Sequence, residues 1–193
     1  MLILASTSQT RQTMLRQAGL SFTSLPSGVD EAALKEGFTG PPGVLAQILA
    51  RHKAAKVARE HPDDLTLGAD QLLVLGSRLF DKPATLEEAR AQLRAFSGCS
   101  HQLITAACLF RGPKLVWSAT EVATLHVRPL SDAFIERYIE AEGEELLACV
   151  GAYRLEALGA QLFERIEGDH FTIQGLPLLP VLAALRSEGE LAG

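Results

Sequence analysis

The first cluster of chemically capable side chains is the run Ser6-Thr7-Ser8-Gln9-Thr10-Arg11 near the start of the chain. It follows the short apolar run Leu2-Ile3-Leu4, which predicts a buried strand. A helix that begins near Ser8 would turn its first backbone N–H groups outward, and these amides with the helix dipole attract anions. The hydroxyls of Ser6 and Ser8 and the guanidinium of Arg11 would add donors. The alternative is an ordinary surface helix that Ser8 caps.

A second cluster is Gly68-Ala69-Asp70-Gln71. It lies in the run Leu65–Leu75, which predicts a strand that Gly68-Ala69-Asp70 interrupts. Aspartate is unfavourable inside a strand, and its carboxylate is costly to bury without a partner. A carboxylate in this setting suits a general base or a metal ligand. The alternative is an aspartate at a bulge or strand end that faces the solvent.

Three further charged residues are candidates. Lys82 precedes Pro83, which favours an extended backbone at the lysine, and a hairpin turn at Gly76-Ser77 would bring Lys82 back toward Asp70. A lysine beside a phosphate acts as a compact point charge. Lys53 projects from a helix predicted from Pro42 to about residue 60, and Glu31 follows Val29-Asp30. Each of these residues is also ordinary as a surface charge.

Composition limits what these clusters can bind. The 193 residues include 18 Lys and Arg against 23 Asp and Glu, a net charge of −5. A general nucleic-acid binder is usually basic, so a nucleic acid polymer is excluded as partner. The three cysteines lack CxxC spacing, which fits a reducing compartment. The apolar run Leu176–Leu185 is interrupted by prolines and is too short for a membrane span. We therefore expect a cytoplasmic protein with no membrane partner.

The elements that must position the clusters are a mixture of strands and helices. Beyond those named above, strands are predicted at 22–25 and 161–166, and helices at about 85–96, 131–141 and 178–186. His101–Phe110 and Lys114–Val127 predict a long hairpin. This pattern favours an α/β or α+β fold with a mixed sheet. The hairpin could supply a dimer edge with Trp117 as an anchor, or both could belong to the core.

The pattern as a whole resembles the Maf family of nucleoside triphosphate pyrophosphatases, over nearly the whole chain. The motifs that carry the resemblance are Ser6, Ser8 and Arg11 in the opening run, Val29-Asp30-Glu31, Lys53-Ala54, Gly68-Ala69-Asp70, Lys82-Pro83, Ser97-Gly98 with His101, Gly151-Ala152-Tyr153, Glu167-Gly168-Asp169 and Gly175-Leu176-Pro177-Leu178.

The resemblance implies an elongated mixed sheet flanked by helices, similar to the fold of inosine triphosphate pyrophosphatases. It implies one domain over residues 1–193, with two lobes around a nucleotide cleft. The implied enzyme is a hydrolase that cuts the α–β phosphoanhydride of an NTP, releasing NMP and pyrophosphate with the divalent cation Mg²⁺ or Mn²⁺. The implied site residues are Asp70 as proton acceptor, the catalytic cations Arg11, Lys53 and Lys82, the substrate-binding Ser6, Ser8, Thr10, Gln71 and Glu156, and the metal ligands Glu31 and Asp70.

Departures from the family pattern bear on the substrate. Family members with glutamine at the position of Glu156 prefer dTTP and UTP. The subgroup that acts on 7-methyl-GTP, a house-cleaning activity, is similar at Asp70-Gln71 and Glu156. A carboxylate can accept hydrogen bonds from guanine N1–H and N2–H₂, whereas uracil offers one N–H between two carbonyls. Thr10 replaces an arginine and also departs from the dTTP and UTP pattern. Gly151-Ala152-Tyr153, in contrast, is more similar to the dTTP and UTP subgroup.

The family is also linked to septum formation and cell-division arrest. The alternative function is therefore a nucleotide-binding regulator in which hydrolysis is incidental. A pure binder does not need Asp70 beside phosphate-binding cations, so the residues favour the enzyme. Relatives often dimerise, and a homodimer is an open expectation.

Overall fold

The structure, a computed structural model, describes residues 1–192. Its strands there are β1 Leu2–Leu4, β2 Phe22–Ser24, β3 Leu65–Leu75, β4 Arg78–Phe80, β5 Ser100–Arg111, β6 Lys114–Val127 and β7 Phe163–Glu167. Its α-helices are α1 Gln9–Gln17, α2 Glu31–Lys35, α3 Pro42–Glu60, α4 Leu86–Phe96, α5 Asp132–Glu142, α6 His170–Ile173 and α7 Leu178–Ser187. Short 3₁₀ helices cover Gly143–Ala148 and Leu158–Leu162.

The strands form one mixed sheet. Its strand order is β2-β1-β3-β5-β6-β7, and β4 pairs with β3 beside this path. β1 runs parallel to both β2 and β3, whereas β4 is antiparallel to β3 and β7 is antiparallel to β6. The predicted α/β class with a mixed sheet flanked by helices is confirmed.

The chain divides into two compact units. The first unit comprises Met1–Gln71, Ile104–Glu121 and the segment from His170 onward, and the second comprises Leu72–Leu103 and Val122–Asp169. The prediction of a single domain with a nucleotide cleft stays a prediction.

The core of the first unit forms because side chains alternate across its strands. In β1, Leu2 and Leu4 belong to a buried cluster with residues of α1 and α7. Ile3, from the same strand, packs in a separate cluster with Val57 of α3. Trp117 packs against the first cluster, as the core alternative for this residue predicted.

Strand β3 positions the second sequence cluster, and here the predicted interruption is wrong. The strand is continuous through Gly68-Ala69-Asp70, and all three residues are buried. Ala69 belongs to the same core cluster as Leu2 and Leu4. Gly68 and Asp70 contact α3 instead. The solvent-facing alternative for Asp70 is also wrong, since the residue is 5% exposed.

Three helices begin at the positions that the sequence predicts for them. Ser8, Thr85 and Ser131 each accept a backbone N–H bond and cap α1, α4 and α5. The helix α2 is not among the sequence predictions, and Asp30 caps it. The last strand begins at Phe163 rather than residue 161, because a 3₁₀ helix occupies the preceding residues.

The second unit has an aromatic core. Phe96 packs edge-on against Phe80 at 4.9 Å between ring centroids and lies 5.0 Å from His101. Tyr153 and Phe163 complete the cluster, with ring centroids 4.9 Å apart. Large aromatic surfaces of this kind contribute much of the apolar burial in a small core.

Candidate active site

The start of α1 forms a compact polar loop in the first unit. Ser8 Oγ accepts the Arg11 N–H at 3.4 Å, and the Ser8 N–H donates to Ser6 Oγ at 3.2 Å. The predicted cap is therefore confirmed. Because Ser8 already uses the Arg11 amide, that N–H is not one of the free donors of this helix end. Thr10 lies in the same first turn and is half-buried.

The Arg11 guanidinium turns back toward the C-terminal part of the chain. Its Nε donates to the Gly175 carbonyl oxygen at 2.7 Å, and one Nη atom lies 3.4 Å from Ser6 Oγ. Burial lowers the pKa of Arg11, while the charges of Asp70 and Glu31 oppose this change. Arg11 is thus a half-buried cation whose charge interacts with both carboxylates.

Lys53 lies between two carboxylates. Its Nζ is 2.5 Å from Asp70 Oδ1 and 2.7 Å from Glu31 Oε1. The Lys53 and Asp70 side chains are only 10% and 7% exposed, whereas the Glu31 side chain is 42% exposed. The structure therefore brings together three sequence-predicted residues from three separate elements, α2, α3 and β3.

Gly68 explains how α3 comes so close to β3. A Cβ atom at this residue would lie 2.4 Å from the Ala50 carbonyl oxygen and 2.7 Å from Ala54 Cβ. Only a residue without a side chain permits this approach. Lys53 lies between those two alanines along the helix, and Asp70 lies two residues after Gly68 on the same face of the strand. The glycine thus sets the distance over which Lys53 meets Asp70.

The two carboxylates have pKa values shifted in opposite directions. Burial raises the pKa of Asp70 above its ordinary value, although the charge and hydrogen bond of Lys53 oppose the rise. Burial acts on Glu31 in the same sense, but there the hydrogen bond and charge of Lys53, together with the charges of Lys35 and Arg11, outweigh it and lower the pKa. Pairs of this kind are typical of sites where one carboxylate moves a proton and the other stays ionised.

Gln71 points to the opposite face of β3. Its Nε2 lies 2.9 Å from Thr105 Oγ1, 2.9 Å from the Thr172 carbonyl oxygen and 3.0 Å from the Ile173 carbonyl oxygen. The side chain is half-buried. Of the residues in this network, only Gln71 is a sequence-predicted site residue.

The remaining predicted residues, Lys82 and Glu156, belong to the second unit. Both are exposed. Both also act electrostatically on the thiol of Cys149: its burial raises the pKa to about 11, the Glu156 charge adds to the rise, and the Lys82 charge opposes it. Within the second unit, Lys82 and Glu156 therefore both lie close enough to Cys149 for their charges to act on its thiol. The place of Lys82 beside Asp70 stays a prediction.

A buried polar pair in the second unit has no counterpart in the sequence prediction of site residues. A ring nitrogen of His101, Nε2, lies 2.7 Å from the Tyr153 hydroxyl. Burial lowers the pKa of His101 to about 4, and His126 adds to the decrease. The signal was present in the chain, because both residues fall in motifs that carry the family resemblance.

Two features of the described residues bear on metal binding and on membrane insertion. Within residues 1–192 no group of three or more His, Cys, Asp or Glu side chains is placed to hold a metal ion. A helix with the length and apolarity of a membrane span is not found among these residues either.

Comparison with known proteins shows the family. The family described as Maf-like protein matches residues 1–188, and the chain belongs to it. The chain is 45% identical over 193 residues to a "Nucleoside triphosphate pyrophosphatase" of Granulibacter bethesdensis, with 98% of each chain covered. It is 46% identical over 194 residues to a "7-methyl-GTP pyrophosphatase" of Rhizobium meliloti, covering 99% of this chain and 98% of the relative.

A solved structure, a HAM1 protein from Coxiella burnetii, aligns with a TM-score of 0.40 and 17% sequence identity. The alignment covers 65% of this chain and 72% of that chain.

Proposed function

We propose that this protein hydrolyses nucleoside triphosphates at the α–β phosphoanhydride, releasing a nucleoside monophosphate and pyrophosphate. The observation that carries the proposal is the contact of Lys53 with the buried Asp70 and the partly exposed Glu31. The charge of Arg11 also interacts with both carboxylates. Cations next to a carboxylate of raised pKa are the groups that phosphoanhydride hydrolysis needs. Relatives 45% and 46% identical are named as pyrophosphatases of this kind.

The cations bind and stabilise the polyphosphate. Arg11 offers guanidinium N–H groups, and the hydroxyls of Ser6 and Ser8 lie beside it at the start of α1. Negative charge that develops on the leaving pyrophosphate is stabilised by donors that are already oriented. The contribution of Lys82 to phosphate binding stays a prediction. Thr10 in the first turn contributes a hydroxyl near the same helix end.

Asp70 is the proton acceptor. Lys53 holds its Oδ1, so Oδ2 is the oxygen that takes the proton from the attacking water. The raised pKa makes Asp70 a stronger base than an exposed aspartate. Lys53 fixes the carboxylate orientation, because its Nζ contacts both Asp70 and Glu31. Glu31, with its lowered pKa, remains ionised and balances the charge of the cations.

The donor chemistry also fits a divalent cation. Glu31 and Asp70 both contact Lys53 Nζ, so the two carboxylates are close neighbours. Mg²⁺ is commonly held by one or two carboxylates together with substrate phosphates, and Mn²⁺ accepts the same oxygen ligands. When bound, such an ion would polarise the phosphate oxygens and neutralise their charge. Glu31 and Asp70 are the residues that would hold it.

We further propose that the base is a modified purine, 7-methylguanine, rather than thymine or uracil. Glu156 is exposed on the second unit and its carboxylate can accept the guanine N1–H and N2–H₂ groups. The methylated base carries a positive charge, which a carboxylate also attracts. Relatives from Rhizobium meliloti and Mesorhizobium japonicum, 46% and 47% identical, are named 7-methyl-GTP pyrophosphatases.

Pyrophosphate release from a panel of NTPs tests the activity. The purified protein is expected to release pyrophosphate from 7-methyl-GTP faster than from dTTP or UTP. Asp70→Asn removes the proton acceptor and is expected to lower kcat at least a hundredfold, because general base catalysis contributes about 10²–10⁴-fold. The matched control is Asp63→Asn, the same change at an exposed aspartate of the first unit.

Two results would contradict the proposal. Unchanged pyrophosphate release by the Asp70→Asn variant would exclude Asp70 as the base. Absence of pyrophosphate release by the unmodified protein from every NTP would exclude the hydrolase itself.

A further inference from the structure

The Gln71 side chain makes contacts that the proposed chemistry does not use. Its amide nitrogen lies within 3.0 Å of three acceptors, the Thr105 hydroxyl and the carbonyl oxygens of Thr172 and Ile173. These contacts join β3 to β5, 34 positions later in the chain, and to α6, 101 and 102 positions later. A surface glutamine rarely has so many partners, because each contact restricts a flexible side chain.

The partners determine which way the amide faces. Backbone carbonyl oxygens only accept hydrogen bonds, so the Gln71 NH₂ group must face Thr172 and Ile173. The opposite orientation would place Oε1 against two other oxygens. Thr105 Oγ1 strengthens the arrangement, because its hydroxyl donates to the Thr172 carbonyl at 2.9 Å while it accepts from Gln71. The Oε1 atom consequently faces the space over Gly175.

Gly175 connects this network to Arg11. Its carbonyl oxygen accepts the Arg11 Nε–H at 2.7 Å. A Cβ atom at Gly175 would lie 3.5 Å from Arg11 Nη2 and 3.7 Å from Gln71 Oε1. The residue also has a φ of +98°, a conformation that side-chain-bearing residues rarely adopt. The guanidinium and the amide therefore border the same small space.

We propose that Gln71 is a positioning residue: it holds the segment 172–175, and this segment holds the Arg11 guanidinium for the polyphosphate. The inference rests on the proposed function, in which Arg11 binds phosphate. Gln71 itself does not touch the reacting atoms. Its loss would leave the Arg11 charge in place but release the carbonyl that orients it.

The Arg11 Nε–H group gives a direct readout of this role. Its NMR signal is identified as the one that disappears in Arg11→Lys, and its hydrogen exchange with water is measured. Gln71→Leu is expected to accelerate this exchange at least tenfold. Gln47→Leu is the matched control, since Gln47 is also half-buried and donates to a threonine hydroxyl at 2.9 Å, but to Thr120. Equal exchange rates in Gln71→Leu and the unmodified protein would refute the proposal.

A kinetic double-mutant cycle tests the coupling to Arg11. Gln71→Leu is expected to lower kcat/KM about three- to tenfold, mainly through KM, and to have almost no further effect when Arg11 is already alanine. Equal effects of Gln71→Leu with and without Arg11 would refute the positioning role. An Arg11→Ala variant with unchanged kinetics would instead refute the part of the proposed function that gives Arg11 to phosphate.

Variants at Thr105 keep the test usable if Gln71→Leu does not fold. Thr105→Val removes the hydroxyl that bonds to Gln71 and to the Thr172 carbonyl, and we expect faster Arg11 Nε–H exchange. Thr105→Ser retains the hydroxyl and is expected to restore the slow exchange. Identical exchange in the valine and serine variants would contradict the proposal.

Discussion

Replacing Lys53 by methionine should destabilise the protein in a pH-dependent way. Methionine keeps most of the side-chain volume but leaves the buried Asp70 carboxylate without its cation. Removing one partner of a buried ion pair costs about 3–5 kcal/mol. We expect Lys53→Met to lower the free energy of unfolding by about 3 kcal/mol at pH 8, the low end of that range.

The sign of the pH dependence follows from the Asp70 pKa. Burial already raises this pKa above its ordinary value, and loss of Lys53 removes the main opposing effect. Folded Asp70 then binds a proton at pH values where the unfolded residue is ionised, so stability falls as pH rises. Conversely, the deficit of Lys53→Met should shrink on acidification, by up to about 1.4 kcal/mol per pH unit.

Urea unfolding between pH 5 and pH 8 measures the effect, with Trp117 fluorescence as the signal. Trp117 is the one tryptophan of the chain and packs against the core of the first unit. Adding Asp70→Asn to Lys53→Met should restore about 1–2 kcal/mol at pH 8, because the uncompensated charge is gone. Adding Glu31→Gln instead should restore little, since that side chain is 42% exposed and water solvates it.

Two outcomes would refute this reasoning. One is a Lys53→Met deficit that is equal at pH 5 and pH 8. The other is equal recovery from Asp70→Asn and Glu31→Gln, which would mean that the burial of Asp70 has no energetic consequence.

Two further predictions concern packing and base preference. Gly68→Ala should lower the free energy of unfolding by about 1–3 kcal/mol and reduce activity, because its Cβ would overlap the α3 backbone. Gly43→Ala, where a Cβ meets nothing closer than 3.9 Å, should leave stability unchanged or improve it in urea unfolding. Glu156→Gln should lower the kcat/KM ratio of 7-methyl-GTP to UTP at least fivefold by loss of a charge-assisted bond. Glu164→Gln, also exposed on the second unit, should not change it; equal ratios in both variants would contradict the role of Glu156.

Local features of the fold were predictable from the sequence because their causes are local. Ser8, Thr85 and Ser131 each cap a helix by accepting a hydrogen bond from the backbone N–H three residues later. Because both partners of such a bond lie within four consecutive residues, the sequence alone is enough to predict it. The turn at Gly76-Ser77 joins two antiparallel strands as predicted. The mixed fold class follows from the alternation of such elements along the chain.

Strand β3 is where local reasoning fails. An aspartate inside an apolar run predicts an interruption, because strand propensity counts only the cost of the charge. The compensation is supplied by Lys53, which lies 17 positions earlier on a helix. Only tertiary packing, made possible by the missing side chain of Gly68, brings that cation into contact.

The sequence by itself determined which groups this protein has for chemistry: a serine-rich helix start, a strand aspartate and a small set of cations. Tertiary structure alone decided what these groups do to one another. It raised the pKa of Asp70 and lowered that of Glu31, although one lysine contacts both. It also placed the Gly175 carbonyl against Arg11, 164 positions away. Burial and hydrogen bonding between distant segments control ionisation and orientation, and neither can be computed from spacing along the chain.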